Sequence, residues 1–233
     1  MSSQIDRLKT LALLIKGGET ADILKELGKR LYANDASIIL RRDLSKPHVT
    51  PAISSNVRIR PLEQRDIPAI IKERPLRLPT LNARIPTCYV AVTADDSICY
   101  MQWLVGARDT DKLRPFFKLR PLSKGTLYPL ASDEMLLEFA YTFEKFRGQG
   151  IMSHAMSRIA EKALEHGARS VITFVQQDNI ASLKGCERAG FVRDTIRHER
   201  WRFCFCKEDF AKLHESSSLS PSPKVRQRAN HLP

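Results

Sequence analysis

Phe143-Glu144-Lys145-Phe146-Arg147-Gly148-Gln149-Gly150-Ile151-Met152-Ser153-His154 reads as the end of a strand, a glycine turn and the start of an amphipathic helix. Gly148 and Gly150 allow dihedrals that other residues avoid and let a ligand approach the backbone closely. The first N–H groups of a helix have no partner within it, and together with the turn amides they make a concave set of donors. The helix dipole adds partial positive charge at the same place, and Arg147 adds a full one. A diphosphate suits such a place on electrostatic grounds. A tight strand-to-helix connection with no ligand has the same local pattern, so the turn does not decide alone.

Working outward, residues 135–143 alternate as a strand into the turn. A helix over 151–166 leaves it and stops at Gly167, in the position of a helix-ending glycine. Residues 171–175 form a buried-type strand, 180–189 a short helix ended by Gly190, and 191–196 and 201–206 two further strands. Upstream, Val57-Arg58-Ile59-Arg60 alternates as a strand. A helix begins near Glu63 or Asp66 and carries Ile67, Ala69, Ile70 and Ile71. Residues 88–92 and 98–105 form a hairpin over Ala94-Asp95-Asp96-Ser97. The order predicts an α/β (mixed α+β) domain with a central, twisted, mostly antiparallel sheet of about six to seven strands flanked by helices. It is expected to run from 56 to 213. Residues 1–55 read as a helical extension and linker, with apolar stripes over 5–15 and 20–31, a short strand at 37–40, and Pro47 and Pro51 as punctuation. These helices could pack on the main domain or on a second copy, which leaves a homodimer open. Residues 214–233 read as a disordered basic Ser/Pro tail.

The 233 residues carry a net charge of +12. That surplus attracts nucleic acid, an anionic membrane or a phosphorylated ligand, and is equally the mark of a solvated basic surface. No stacking motif or groove-reading helix supports nucleic acid. No apolar run is long enough to span a bilayer, and Leu11-Ala12-Leu13-Leu14-Ile15 is too short for a signal-peptide core. The expected location is cytoplasmic. Five cysteines, an odd number, argue against a disulfide framework. Cys204 and Cys206 share a strand face without further ligand-type neighbours, so no metal is expected.

The run around Arg147-x-x-Gly150-x-Met152 resembles the acetyl-CoA loop of the GNAT N-acetyltransferase superfamily, whose pattern is Gln/Arg-x-x-Gly-x-Gly/Ala. Met152 departs from the small residue at the last position. Asn179-Ile180-Ala181-Ser182 followed by a short helix into Gly190-Phe191 is similar to a second family signature. Val57-Arg58-Ile59-Arg60-Pro61-Leu62 with Asp66 looks like the family's opening strand and helix. The resemblance covers roughly 56–208. It implies acetyl-CoA as co-substrate and an amine acceptor, on a small molecule or a protein. It implies that the strand before the loop splays from its neighbour, so that backbone groups at Ala140, Thr142 and Phe143 meet the pantetheine arm. It further implies that amides of Arg147, Gly148, Gln149, Gly150, Ile151, Met152 and Ser153 hold the pyrophosphate, and that Asn179 and Ser182 contact the pantetheine or phosphates. Asn179 and Ser182 could also merely cap a helix.

The family passes the acyl group directly to the acceptor, and a tyrosine four residues before the Gly of Gly-Phe often protonates the leaving thiolate. Here that position is Cys186, a poorer donor than a phenol. It can be the acid or a packed helix residue. For the base, Glu138 on the incoming strand shares by alternation the face of Ala140 and Thr142. Burial would raise its pKa toward a useful value, although a structural ion pair would place it equally well. Tyr141 is a candidate from the opposite face. The basic loop 106–133, with Phe116, Phe117 and Tyr128, would border the acceptor. An acyl-CoA-binding module without turnover is the alternative, suggested by Met152 and Cys186.

Overall fold

Ser37-Ile38-Ile39-Leu40 is apolar without alternation, the pattern of a strand covered on both faces. In the computed structural model, which describes residues 32–77, 80, 81, 87–110, 112, 129–203 and 205–213, this run is the middle of strand β1 (Tyr32–Asp43). Strand β1 lies between β6 (Ser170–Gln176) and β7 (Val192–Arg202) and is antiparallel to both. The remaining strands are β2 (Arg58–Pro61), β3 (Cys88–Val92), β4 (Ile98–Gly106), β5 (Glu134–Thr142) and β8 (Phe205–Lys212). The described residues form one eight-stranded sheet in the order β2-β3-β4-β5-β6-β1-β7-β8. Only the β5–β6 pair is parallel.

The mixed sheet flanked by helices is as the sequence predicts, with three differences. The sheet begins at residue 32, not 56, because β1 is an inner strand of it. It therefore has eight strands where six to seven are expected. The strands expected at 191–196 and 201–206 are one long strand, β7, followed by β8 from Phe205. The charged stretch Arg197-His198-Glu199-Arg200 hides that continuity. In the structure it alternates, with His198 and Arg200 exposed and Thr195, Glu199 and Trp201 buried. The helices expected over 5–15 and 20–31, most of the loop 106–133, the tail from 214 and the side chains of Cys204 and Cys206 lie outside the described residues.

Two apolar clusters cover the two faces. One joins Leu40, Tyr100, Leu104 and Leu137 to Ile151, Ala155, Met156 and Ile159 of helix α2 (Ile151–Lys162) and to Leu183 and Cys186 of helix α3 (Ile180–Arg188). The other joins Ile39, Met101, Trp103, Leu136 and Ile172 to Ile70 of helix α1 (Ile67–Glu73). Arg42 fastens β1 to the first layer. Its buried guanidinium donates to Ser157 O and Oγ (3.1 and 3.0 Å) on α2 and to Ala189 O (3.1 Å) after α3.

The β2–α1 corner is set by a buried bidentate pair, with Arg60 donating to Asp66 Oδ2 and Oδ1 at 2.7 and 2.8 Å. Asp66 also accepts from the Glu63 amide at 2.7 Å. Burial pushes the Asp66 carboxyl up, but the Arg60 bonds and the Glu63 amide outweigh it and hold the pKa below its ordinary value. That contribution is present at neutral pH and is lost as pH falls through the depressed value. Asp66→Asn removes the bidentate partner of buried Arg60, leaving it Glu63 and Asp96 at 3.6 and 3.7 Å, and should cost about 2–3 kcal/mol. A urea midpoint within error of wild type would contradict this.

Candidate active site

Strands β5 and β6 pair only over Glu134–Leu137 and Ser170–Thr173, where Thr173 Oγ also donates to Leu137 O (3.0 Å). Beyond that no pair joins them, and β6 continues to Gln176 against β1. Residues 138–142 of β5 therefore keep β4 on one side and, among the described residues, face a gap on the other. Such a gap presents strand backbone groups to a ligand that can take the place of a neighbouring strand.

A bulge in β5 re-aims its side chains. Trp103 pairs with Glu138 and Met101 with Tyr141, so β5 has one residue more than β4 between these pairs. Phe139 absorbs it with a φ of 56°, uncommon for an aromatic residue. Directly opposed residues share a face, so Glu138 and Tyr141 both lie on the α1 face with Trp103 and Met101. The expectation from simple alternation, Glu138 with Ala140 and Thr142 and Tyr141 opposite, is thus corrected: Ala140 and Thr142 are on the α2 face. Glu138 is half-buried against Phe139 and Trp103, whose rings meet edge-on at 5.7 Å. Burial pushes its carboxyl up to about 7, with the Phe139 amide, Arg197 and Arg77 pulling the other way. A carboxylate with that value can take a proton near neutral pH.

The glycine turn enters α2 as the sequence predicts. Gly148 and Gly150 both have φ of 76°, and Gly150 is the N-cap. A Cβ at Gly148 would meet nothing within 4 Å, so the turn is open on that side, whereas one at Gly150 would stand 3.3 Å from Ile53 Cγ2. Arg147 folds back onto β5 instead of standing over the turn: its Nε donates to Thr142 O and its Nη2 to Tyr141 Oη, both at 3.2 Å. Ile151 and Ser153 are buried, and the His154 amide bonds back to Gly150 O at 3.2 Å, so the amides of 151–153 precede the helix's own hydrogen bonds. His154 contacts Pro51 O through Nδ1 at 2.9 Å and so anchors the preceding segment.

Met152, the departure from the loop pattern, finds its room at Gly185 of α3. A Cβ there would stand 3.1 Å from the Met152 sulfur. Gly185→Val should cost about 1–3 kcal/mol by overpacking this helix contact. In Gly185→Ala the gain in helix propensity, about 1 kcal/mol, offsets the closer approach. Equal urea midpoints for the Val and Ala variants would contradict the packing role.

At the start of α3, Asn179 Oδ1 accepts from the Ser182 amide at 3.1 Å, so Asn179 is a helix cap. Cys186 is fully buried, and burial pushes its thiol up to about 12. It is protonated at neutral pH and is no nucleophile. Beside it, Tyr100 donates to Gln102 Oε1 at 2.6 Å. Gln102 faces the β5 bulge, and its Nε2 is buried with no partner among the described residues. On the α1 face, Glu73 Oε2 accepts from Tyr141 Oη (3.0 Å) and the Glu144 amide (3.3 Å), linking α1 to the turn. Gln102, Glu73 and the arginines Arg74, Arg77 and Arg197 near Glu138 have no sequence signature.

Residues 76–191 match the family model described as the Acetyltransferase (GNAT) family. Among solved structures, an acetyltransferase from the GNAT family of Colwellia psychrerythraea is similar at 12% identity and TM-score 0.51, over 75% of this chain and 59% of that one. A GCN5-related N-acetyltransferase from Sphaerobacter thermophilus is similar at 13% and 0.50, over 78% and 57%. A GCN5-related glucosamine N-acetyltransferase region in a fungal multi-domain GH3 beta-N-acetylglucosaminidase is similar at 11% and 0.54, over 77% and 22%. The chain thus spans less than two thirds of each, and these likenesses show the fold. No curated protein matches the chain.

Proposed function

We propose, from the match of residues 76–191 to the GNAT acetyltransferase family, that the chain is an acyltransferase of that family and moves an acetyl group from acetyl-CoA directly to a primary amine. The observation that carries this reading is the β5–β6 gap beside the Gly148–Gly150 turn, with Glu138 on the other face of the sheet. The fit to acetyl-CoA rests on the left-handed glycines, the open space at Gly148 and the free amides of the α2 start, which suit a pyrophosphate. Bound acyl-CoA supplies the activated acyl group. In this reading, strand groups at Ala140 and Thr142 orient the pantetheine arm, and the amides from Gly148 to Ser153 hold the phosphates. The Arg147 amide is engaged by Glu144 O at 3.2 Å, and Phe143 bonds through its amide to Cys99 O (3.0 Å) and through its carbonyl to the Phe146 amide (2.9 Å), so these two expected contacts are not open to the ligand. Asn179, whose Oδ1 is used in capping, offers its amide NH2 to the same ligand, with Ser182 next to it. Glu138 accepts the proton of the amine nitrogen, directly or through one water.

For the leaving sulfur, Cys186 on the α2 side and Tyr141 on the α1 side are the candidate proton donors. The small number of cysteines, with Cys88, Cys99 and Cys186 free and buried, suits a cytoplasmic protein. No helix among the described residues is long and apolar enough to cross a membrane. A second reading, an acyl-CoA-binding module without turnover, draws on the buried, protonated thiol at 186.

The test is incubation with acetyl-CoA labelled in its acetyl group and a panel of primary amines. The expected result is a labelled amide of at least one amine, formed in step with free CoA thiol. Binding of acetyl-CoA with no thiol release across the panel would favour the binding module.

A further inference from the structure

The α1 face of the gap carries more positive charge than the described residues balance. Three guanidinium groups lie on aromatic rings of the two diverging strands and their bulge. Arg77 lies 4.4 Å from the Phe139 centroid, Arg74 4.9 Å from Tyr141 and Arg197 5.4 Å from Phe174. Stacking occupies the flat face of a guanidinium and leaves its in-plane N–H donors for an oxyanion.

The acids on this face are few and mostly engaged. Glu73 accepts from Tyr141 and the Glu144 amide. Glu199 pairs with Arg197 at 3.1 Å. Glu138 remains. Among the described residues no carboxylate pairs with Arg74 or Arg77, and the Nε atoms of Arg74 and Arg197 are buried without a partner. Ser37, opposite Arg197 in β1, also keeps a buried, unpartnered hydroxyl. Burial and the nearby Arg74 push the Arg77 guanidinium down to about 10, the sign of a cation short of counter-charge. Leu81 and Leu130 pack against the same apolar face and bring no charge to it.

We propose that the amine acceptor carries an anionic group, a carboxylate or a phosphate, which Arg74 and Arg77 bind beside Glu138, with Arg197 as the opposite wall. This rests on the transfer reading above. It assigns the acceptor class: the amine sits at Glu138, and the anion a few bonds away meets two stacked arginines. Arg74 and Arg77 are specificity residues and Glu138 acts on the reacting nitrogen.

Matched acceptors test this. Glycine is compared with glycinamide, and 2-aminoethyl phosphate with ethanolamine, in wild type, Arg74→Met, Arg77→Met and the distant control Arg200→Met. The anionic member of at least one pair should have a kcat/KM about tenfold or more above its neutral partner. Which pair shows this tells carboxylate from phosphate. The ratio should fall toward one in Arg74→Met and Arg77→Met through KM, with acetyl-CoA affinity unchanged, and stay at the wild-type value in Arg200→Met. Arg77→Lys should recover part of it. Equal use of neutral amines, or a ratio indifferent to both Met variants, overturns the proposal. If no amine is acetylated, the transfer reading fails, and calorimetry with N-acetylglycine and inorganic phosphate decides the anion site separately. Binding by wild type that is lost in folded Arg77→Met sustains it. No binding, or equal binding to that variant, overturns it.

Discussion

Glu138→Gln is expected to lower kcat by about 10²–10⁴-fold with acetyl-CoA binding unchanged. The amide has the shape of the carboxylate but cannot accept the amine proton. The pH profile gives a second readout. With its carboxyl at about 7, wild-type kcat/KM should rise with pH through about 7 as the base ionises, and the variant should lose that limb. Stability should move the opposite way. The folded protein binds this proton more tightly than the unfolded chain does. The resulting stabilisation is complete below the ordinary glutamate value and is lost as pH rises through about 7. Above neutrality wild type therefore keeps a partly buried carboxylate at a cost, and Glu138→Gln should melt a few degrees higher at pH 8. A group held for structure alone would give lower stability on substitution, and unchanged turnover at saturating acceptor would remove Glu138 from the mechanism.

Gly150→Asp should weaken acetyl-CoA binding by about 100-fold or more, because it sets a carboxylate against the place proposed for the pyrophosphate. Gly150 has φ of 76° and a Cβ there would stand 3.3 Å from Ile53 Cγ2, so any side chain there brings strain. Gly150→Asn carries the same strain without the charge, and Asn and Asp tolerate this backbone region better than other residues. The ratio of the two affinities isolates electrostatics. Equal losses in both would mean that the turn matters for its shape and not for the dipole and amides around it.

The elements that position the site were legible because each has a local signature. The turn needs glycine at two positive-φ positions, α2 shows its stripe and its stop at Gly167, and Asn179 has a cap's position. β1 was less legible. A strand buried on both faces reads as a bare apolar run, and nothing local says that Ser37-Ile38-Ile39-Leu40 is inserted between β6 and β7. The bulge at Phe139 was hidden altogether, since a phenylalanine at positive φ is imposed by the pairing of β4 with β5 and not by its own preference. That one residue moved Glu138 and Tyr141 onto a common face. Arg74, Arg77 and Arg197 gather from a helix end and a distant strand, and such tertiary convergence leaves no spacing to read. Met152 shows the reverse case: a departure from a pattern in one helix, matched by Gly185 in the next.

Isothermal titration of acetyl-CoA into the folded wild-type protein tests the central claim most directly. Saturable binding at one site per chain, competed by free CoA, is the result predicted by the gap and the glycine turn. A folded protein that gives neither heat nor a thermal shift at millimolar acetyl-CoA would contradict it and leave a GNAT fold without its acyl donor.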